Sequence, residues 1–408
     1  MRVLYMSHRY HTNQNAIMKG WKEHGDEVCF LSQYEGKIED YTYVKPVVMG
    51  YSPWFMPFYK LYVNVLAKNN PAAMDIRLKV GIPPVFKLAK VMGQFRPDLV
   101  IMRERSVYTI CMTAICRLRG YPAILYVMNP VWEKPKRDLA HRIVWKLVPK
   151  YRLTPSLVVG LDYTGKEKDS CAFFAPYLME PQLSPQEKRY MENGRIRILE
   201  VGKYEERKNH KMMVRAFERL AGKYPADLTI VGEVSNDFHR KYYRELEEYI
   251  DSHGLGGRVT LKSNLEKADM MEEYKRADLF VLPSTGEPGS VANLEAMAFC
   301  VPALCGEDNG TACYIRQGKT GYVCKDNDED DLAEKMERMV SNPTVIKKMG
   351  RNAYYHVTKH FQFDAYYRSV ERIMERQRRE RDRKRGKGRF VTPMDGRRDS
   401  GGYGRDGR

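Results

Sequence analysis

From Ile196 onward, short apolar runs alternate with longer stretches whose apolar residues recur every three or four positions. The runs Ile196 to Val201, Leu228 to Val231, Val259 to Leu261, Leu279 to Pro283 and the stretch around Ala303 predict strands, and 210 to 223, 237 to 251, 266 to 276 and 290 to 299 predict helices. Strand and helix alternating at this spacing predict a parallel sheet covered on both faces. Five or six such units complete one Rossmann-like domain.

The first half repeats the theme less regularly, with strands at Val3 to Met6, Val28 to Leu31, Leu99 to Met102 and Ala123 to Val127. Helices are predicted near 14 to 24, 84 to 95 and 107 to 118, so a second Rossmann-like domain is expected. The chain has 408 residues, whereas single cores stop growing near roughly 250 to 300 residues. The polar, turn-rich segment 182 to 194 is the natural boundary, which divides the chain into domains at 1–185 and 186–365.

Composition describes a soluble protein, with 43% hydrophobic residues, 30% charged residues and a mean hydropathy of -0.58. No run of about 18 apolar residues is present to cross a bilayer, and Arg9, His11 and Asn13 interrupt the N-terminus before a signal-peptide core could form. A cytoplasmic location is expected. Eight cysteines lie scattered without a Cys-x-x-Cys pair, which signals neither zinc nor a disulfide framework. From Arg376 onward there are 13 Lys and Arg against 5 Asp and Glu, so +8 of the net +17 belongs to the last 33 residues. With few large apolar residues, the segment 376–408 is expected to be disordered.

Candidate chemistry gathers at two strand ends of the second half. Glu287 and Glu295 lie in Glu-Pro-Gly-Ser-Val-Ala-Asn-Leu-Glu, directly after the run ending at Pro283 and at the mouth of a predicted helix. Ligands of open α/β sheets bind at such carboxyl edges. Ionised carboxylates only accept hydrogen bonds, so a pair of them suits a ligand rich in hydroxyls, such as a sugar or a ribose. The stretch Gly202-Lys203-Tyr-Glu-Glu-Arg-Lys208-Asn209-His210 places cations between a strand and a helix, where an anion is expected.

Taken together, the two stretches resemble the GT-B glycosyltransferases of family 4. Gly202-Lys203 followed by Lys208 resembles that family's Gly-Arg-x4-Lys stretch, and Glu287 with Glu295, Ala296, Met297, Ala298 and Pro302 resembles its E-x7-E motif. The resemblance covers about residues 196 to 375. It implies the GT-B fold: an α/β architecture of two Rossmann-like domains facing a central cleft, here with a disordered basic tail. It also implies a terminal helix, over 366–375, that packs back on the N-terminal domain.

By the same resemblance the chain is a retaining, metal-independent hexosyltransferase using a nucleotide-diphosphate sugar as co-substrate, without a bound cofactor. Glu287, Lys203 and Lys208 are the catalytic candidates: Glu287 for the sugar hydroxyls and the lysines for the diphosphate. Gly202, Gly289, Ser290, Val291, Ala292 and Glu295 would bind the donor, with Glu295 on the ribose. Departures from the family pattern lie at Pro288-Gly289-Ser290, where it has Gly-Phe-Gly, and at Asn209 and Cys300, where it often has Gly. The N-terminal half lacks the family's glycine-rich loop, replaced by Ser7 to Asn15, and its usual histidine, for which Met128-Asn129 stands instead. Arg103, Glu104, His11 and Asn129 are therefore the acceptor-side candidates.

The acceptor is expected to be a glycan or a lipid-linked cell-envelope molecule. Lys134 to Arg152 carries seven Lys or Arg against one Asp, interleaved with apolar residues at helical spacing, which reads either as a helix on an anionic membrane surface or as a docking helix with a basic face. The aromatic stretch Tyr51, Trp54, Phe55, Phe58, Tyr59 and Tyr62 belongs either to that same surface or to the core, with core packing the expectation. The acidic run Asp326 to Asp331 lacks the glycine of a calcium loop and reads as the start of a helix near Leu332. The competing function is a non-catalytic protein that binds nucleotide sugars, or nucleic acid through the basic tail; the tail lacks the regular aromatics that stack on bases, which disfavours nucleic acid.

Overall fold

The structure is a computed structural model and describes residues 1–11, 14–36, 40–65, 76–103, 106–128, 139–156 and 171–387. Two parallel sheets organise it. The first has the order β3-β2-β1-β4-β5-β6-β7, from β1 (Arg2–Ser7), β2 (Glu27–Ser32), β3 (Val47–Val48), β4 (Leu99–Arg103), β5 (Ala123–Tyr126), β6 (Arg152–Thr154) and β7 (Ala172–Phe174). The second has the order β10-β9-β8-β11-β12-β13, from β8 (Ile196–Val201), β9 (Ala226–Gly232), β10 (Val259–Ser263), β11 (Leu279–Leu282), β12 (Ala303–Gly306) and β13 (Gly321–Cys324). Each order reverses once, between β1 and β4 and between β8 and β11. The loops leaving those strands diverge, and the crevice they leave is where ligands enter doubly wound sheets.

Predicted and observed elements agree closely where apolar runs were long, as at Ile196–Val201 and the helices His210–Ala221, Asp237–Ser252 and Lys267–Arg276. Helices cover both faces of the second sheet, with the core split between the side of Met213, Phe217, Leu246 and Met336 and the side of Phe280, Leu294, Met297 and Tyr314. The polar linker is anchored: buried Lys188 donates to the carbonyls of Lys275 and Ala277, both at 2.6 Å. Burial pushes its ammonium down to about 8.

Three expectations change. The last helix runs from Phe363 to Lys387, well past 375, so residues 376 to 387 are ordered rather than part of a disordered tail; residues 388–408 lie outside the described residues. The helix Phe55–Val65 has no buried residue, and Trp54 and Phe58 are exposed, so that aromatic stretch is not core. Apolar spacing marks a stripe but not what covers it. The acidic run starts its helix at Glu329 instead of Leu332, capped by the Asp328 carboxylate accepting from the Asp331 amide at 2.9 Å.

The chain returns to the first domain after the helix Pro343–His360. Trp21 Nε1 donates to Tyr5 Oη at 2.6 Å, and Tyr5 shares a 2.8 Å hydroxyl contact with Tyr366 of the last helix. Phe363 and Tyr367 pack edge-on against Trp21. The final helix therefore belongs to the N-terminal core.

Below the β8 crevice, His210 and Glu200 are both fully buried. The His210 ring contacts the Glu200 carboxylate through Nδ1 at 2.8 Å and the Lys203 carbonyl through Nε2 at 2.9 Å. A carboxylate and a carbonyl both accept, so this geometry favours a ring that donates through both nitrogens. Burial opposes the charge of such a ring, but Glu200 and the Lys203 carbonyl outweigh it and raise the pKa above the ordinary imidazole value. This clamp holds the turn from Lys203 to Asn209.

Two outcomes test this account. Tyr366→Ala should cost about 3 kcal/mol or more in denaturant unfolding, as large-to-small changes in a core do; a loss under about 1 kcal/mol would show that the last helix is not core. Because the folded pKa of His210 is raised, its contribution is complete below about pH 6.5 and is lost as the pH climbs through the folded value. The stability margin of the wild type over His210→Gln should therefore shrink above neutrality, and a margin constant with pH would contradict an imidazolium.

Candidate active site

Glu287 lies in the loop after β11, and its Oε2 accepts from Lys208 Nζ at 2.6 Å and from Arg207 Nη1 at 2.7 Å. Lys208 and Glu287 are both buried. The two cations come from the 3-10 turn Glu206–Lys208, which follows β8, so the cluster bridges the two strands at the reversal of the second sheet. Burial alone would raise the Glu287 carboxyl, but Lys208 and Arg207 more than offset it and hold it below the usual carboxylate range. The group is ionised at neutral pH.

Backbone joins the same two loops: Thr285 N donates to Arg207 O at 2.9 Å, and Asn209 Nδ2 donates to Pro283 O at 2.9 Å. Asn209 has φ +59° and Cys300 φ +60°, so the two positions where the family often has glycine keep a left-handed backbone. Asn tolerates that conformation and here also ties one strand end to the other. Gly202 lies under the Lys208 stem, and a Cβ there would meet Lys208 Cδ at 3.0 Å.

Gly289 approaches the N-terminal domain: a Cβ there would stand 3.1 Å from Tyr177 Oη. Pro288 O accepts from Ser156 Oγ at 2.6 Å. Ser290 is buried, its carbonyl accepting from Thr311 Oγ1 at 2.9 Å and its hydroxyl from the Ala292 amide at 3.2 Å. Val291 and Ala292 are half-buried at the start of the helix Ala292–Ala298. Glu295, in the first turn of that helix, accepts from Tyr274 Oη at 2.7 Å. Burial raises its pKa against the lowering effect of that hydrogen bond.

The remaining candidates separate. Lys203 turns away from the cluster to pair with Glu233 at 3.1 Å, both side chains about half-exposed. Arg207, which the motif reading passed over, takes its place beside Glu287 and also donates to Glu205 at 2.7 Å. Its position directly before Lys208 was the available signal. On the facing domain, Arg103 ends β4 and its Nη2 lies 2.8 Å from Met128 Sδ. His11 stands near it: burial, Arg103 and Arg9 push its imidazole down to about 4, so it is neutral at pH 7. Asn129 and Glu104 lie outside the described residues.

Residues 185–356 match the family model of the group 1 glycosyl transferases. Relatives include the sulfoquinovosyl transferase SQD2 of Arabidopsis thaliana, 21% identical over 86% of this chain and 67% of that one. The D-inositol 3-phosphate glycosyltransferase of Thermobifida fusca is 26% identical over 40% of this chain, and the match spans only 38% of that protein. Among solved structures, Anabaena Alr3699/HepE in complex with UDP superposes with a TM-score of 0.68 at 12% identity, covering 92% of this chain and 100% of that one, which shows the shared fold. The C-terminal domain is thus similar to the group 1 glycosyl transferases across residues 185–356, and the two-sheet GT-B architecture is shared with the solved structures.

Proposed function

We propose that this glycosyltransferase moves a hexosyl unit from a nucleotide-diphosphate sugar to a glycan or lipid-linked cell-envelope acceptor, with retention of anomeric configuration. The observation that carries the reading is the ionised Glu287 held by Lys208 and Arg207 at the reversal of the second sheet. As the sugar departs, charge develops on the diphosphate, and fixed cations at that point lower the barrier without having to reorganise. Lys208 and Arg207 fill that role, with Lys203 close enough in sequence to join them. Glu287 accepts from sugar hydroxyls, Glu295 from the ribose, and the amides of Gly289 to Ala292 line the donor. A nucleoside diphosphate is further supported by the UDP found in the structural neighbour.

Charge neutralisation by side chains makes a metal dispensable in this scheme. The acceptor enters from the N-terminal domain, where Arg103 and the neutral His11 offer hydrogen bonds to a hydroxyl. Retention rests on the family resemblance. The protein acts in the cytoplasm, at the inner face of a membrane when the acceptor is lipid-linked. The helix Leu139–Leu147 supports that placement, since Leu139, Ile143 and Leu147 stand exposed among basic residues.

Purified protein offered a panel of nucleotide sugars should release nucleotide diphosphate with at least one, unaffected by EDTA. Glu287→Ala and Lys208→Ala should each lower kcat/KM by about 10²- to 10³-fold, the usual loss for one charge-stabilising group. Either change also unpairs a buried ion, which costs about 3–5 kcal/mol, so folding is checked alongside activity. Glu295→Ala should act mainly on the donor KM. Absence of both donor binding and release across the panel would sink the transferase reading.

A further inference from the structure

Among the described residues, nine of the sixteen large apolar side chains that stand exposed fall between Val47 and Phe86. Four of them, Trp54, Phe58, Leu61 and Val65, recur at helical spacing along the helix Phe55–Val65 and are 59, 70, 63 and 66% exposed. Phe86, in the first turn of the helix Val85–Phe95, is 93% exposed, beside Val85. Single exposed apolar residues need no explanation, but a continuous stripe does.

The stripe is held on a fixed support. Phe55 packs between Tyr51, tilted to it at a ring-centroid distance of 5.8 Å, and Tyr59, stacked on it at 6.1 Å. The Arg77 guanidinium lies over both Tyr59 and Tyr34, at 5.9 and 5.4 Å. One side of the helix is thus packed, and the other carries the exposed stripe.

Charge decides between occupants. From Tyr41 to Pro97 the sequence holds eight Lys and Arg (45, 60, 68, 77, 79, 87, 90 and 96) against one acid, Asp75. Lys45, Lys60, Lys79, Lys87 and Lys90 are exposed, and Lys87 Nζ reaches the carbonyl of exposed Val48 at 3.4 Å. A second copy of the chain would bring the same positive surface against this one and be repelled. An anionic lipid surface satisfies both features, with apolar side chains entering between headgroups and lysines meeting lipid phosphates.

The location adds a functional reason. Tyr51 Oη donates to Gln33 Oε1 at 2.8 Å, and Gln33 N donates to His8 O at 2.9 Å. The helix therefore starts at the carboxyl edge of the first sheet, next to the loop after β1 that carries His11.

We propose that the face formed by Trp54, Phe58, Leu61, Val65 and Phe86 with the exposed lysines of the same segment docks this protein onto an anionic bilayer, presenting the N-terminal side of the cleft to lipid. This deepens the reading of a lipid-linked acceptor and rests on it only for the acceptor's identity.

Full-length protein is floated with vesicles of phosphatidylcholine alone and of phosphatidylcholine mixed with phosphatidylglycerol. The wild type should float only with the anionic vesicles, and less so as salt is raised. Phe58→Glu with Leu61→Glu, and separately Lys60→Glu with Lys87→Glu, should each weaken flotation by about tenfold or more. Both pairs are exposed, so melting temperature and nucleotide release from a soluble donor should stay at the wild-type level. That separates failure here from failure of the transferase reading. Flotation that is absent, or equal in wild type and variants, overturns the proposal. So does a wild-type dimer in lipid-free buffer that the Phe58→Glu, Leu61→Glu pair converts to monomer.

Discussion

A carboxylate as buried as Glu287 stays ionised only because two cations share one of its oxygens. That convergence constrains everything around it. Lys208 and Arg207 reach Glu287 across about eighty residues of chain, so the strands β8 and β11 must be neighbours and their outgoing loops must lie side by side. The strand order supplies the first condition, and the Thr285–Arg207 and Asn209–Pro283 hydrogen bonds supply the second. His210 then holds the turn from beneath through the Lys203 carbonyl. Disturbing any of these leaves charge buried without a partner, which proteins tolerate poorly.

The loop that carries Glu287 is also the one that meets the other domain. Pro288 accepts from Ser156, Gly289 faces Tyr177, and the Tyr314 hydroxyl accepts from the Tyr177 amide at 2.9 Å while donating to the Pro155 carbonyl at 2.7 Å. Movement between the domains therefore acts on the donor loop directly. Gly289, at the middle of the stretch where the family has Gly-Phe-Gly, is the position where a Cβ would stand 3.1 Å from Tyr177 Oη. Any closure of the cleft would therefore carry the Glu287 loop with it.

Much of this was legible in the sequence because buried parallel strands are continuous apolar runs, and the two glutamates followed one of them. Shorter strands were not: β3, β6 and β7 span two or three residues, too few to show a period. The role of Arg207 depends on a single 3-10 turn that sets which basic side chain faces inward, and composition does not encode that. Lys203 was expected at the diphosphate, yet it sits beside Glu233 because the end of β9 lies next to the end of β8. The aromatic stretch at 51–62 failed for a different reason: an amphipathic period specifies a stripe, and only tertiary contacts specify whether protein covers it.

The three cations of the site then differ in kind. Lys208 and Arg207 are placed before any ligand arrives, and each retains donors beyond the one given to Glu287, since an ammonium has three and a guanidinium five. A diphosphate can be added to them without breaking the ion pairs that hold the loops together. The pair between Lys203 and Glu233 is half-exposed and contributes at most about 1 kcal/mol, so redirecting it costs little. A donor site built this way needs no large rearrangement of its buried charges. On the proposed reading, Lys208 and Arg207 are fixed where a diphosphate would lie, and Lys203 is the cation whose pairing is weakest.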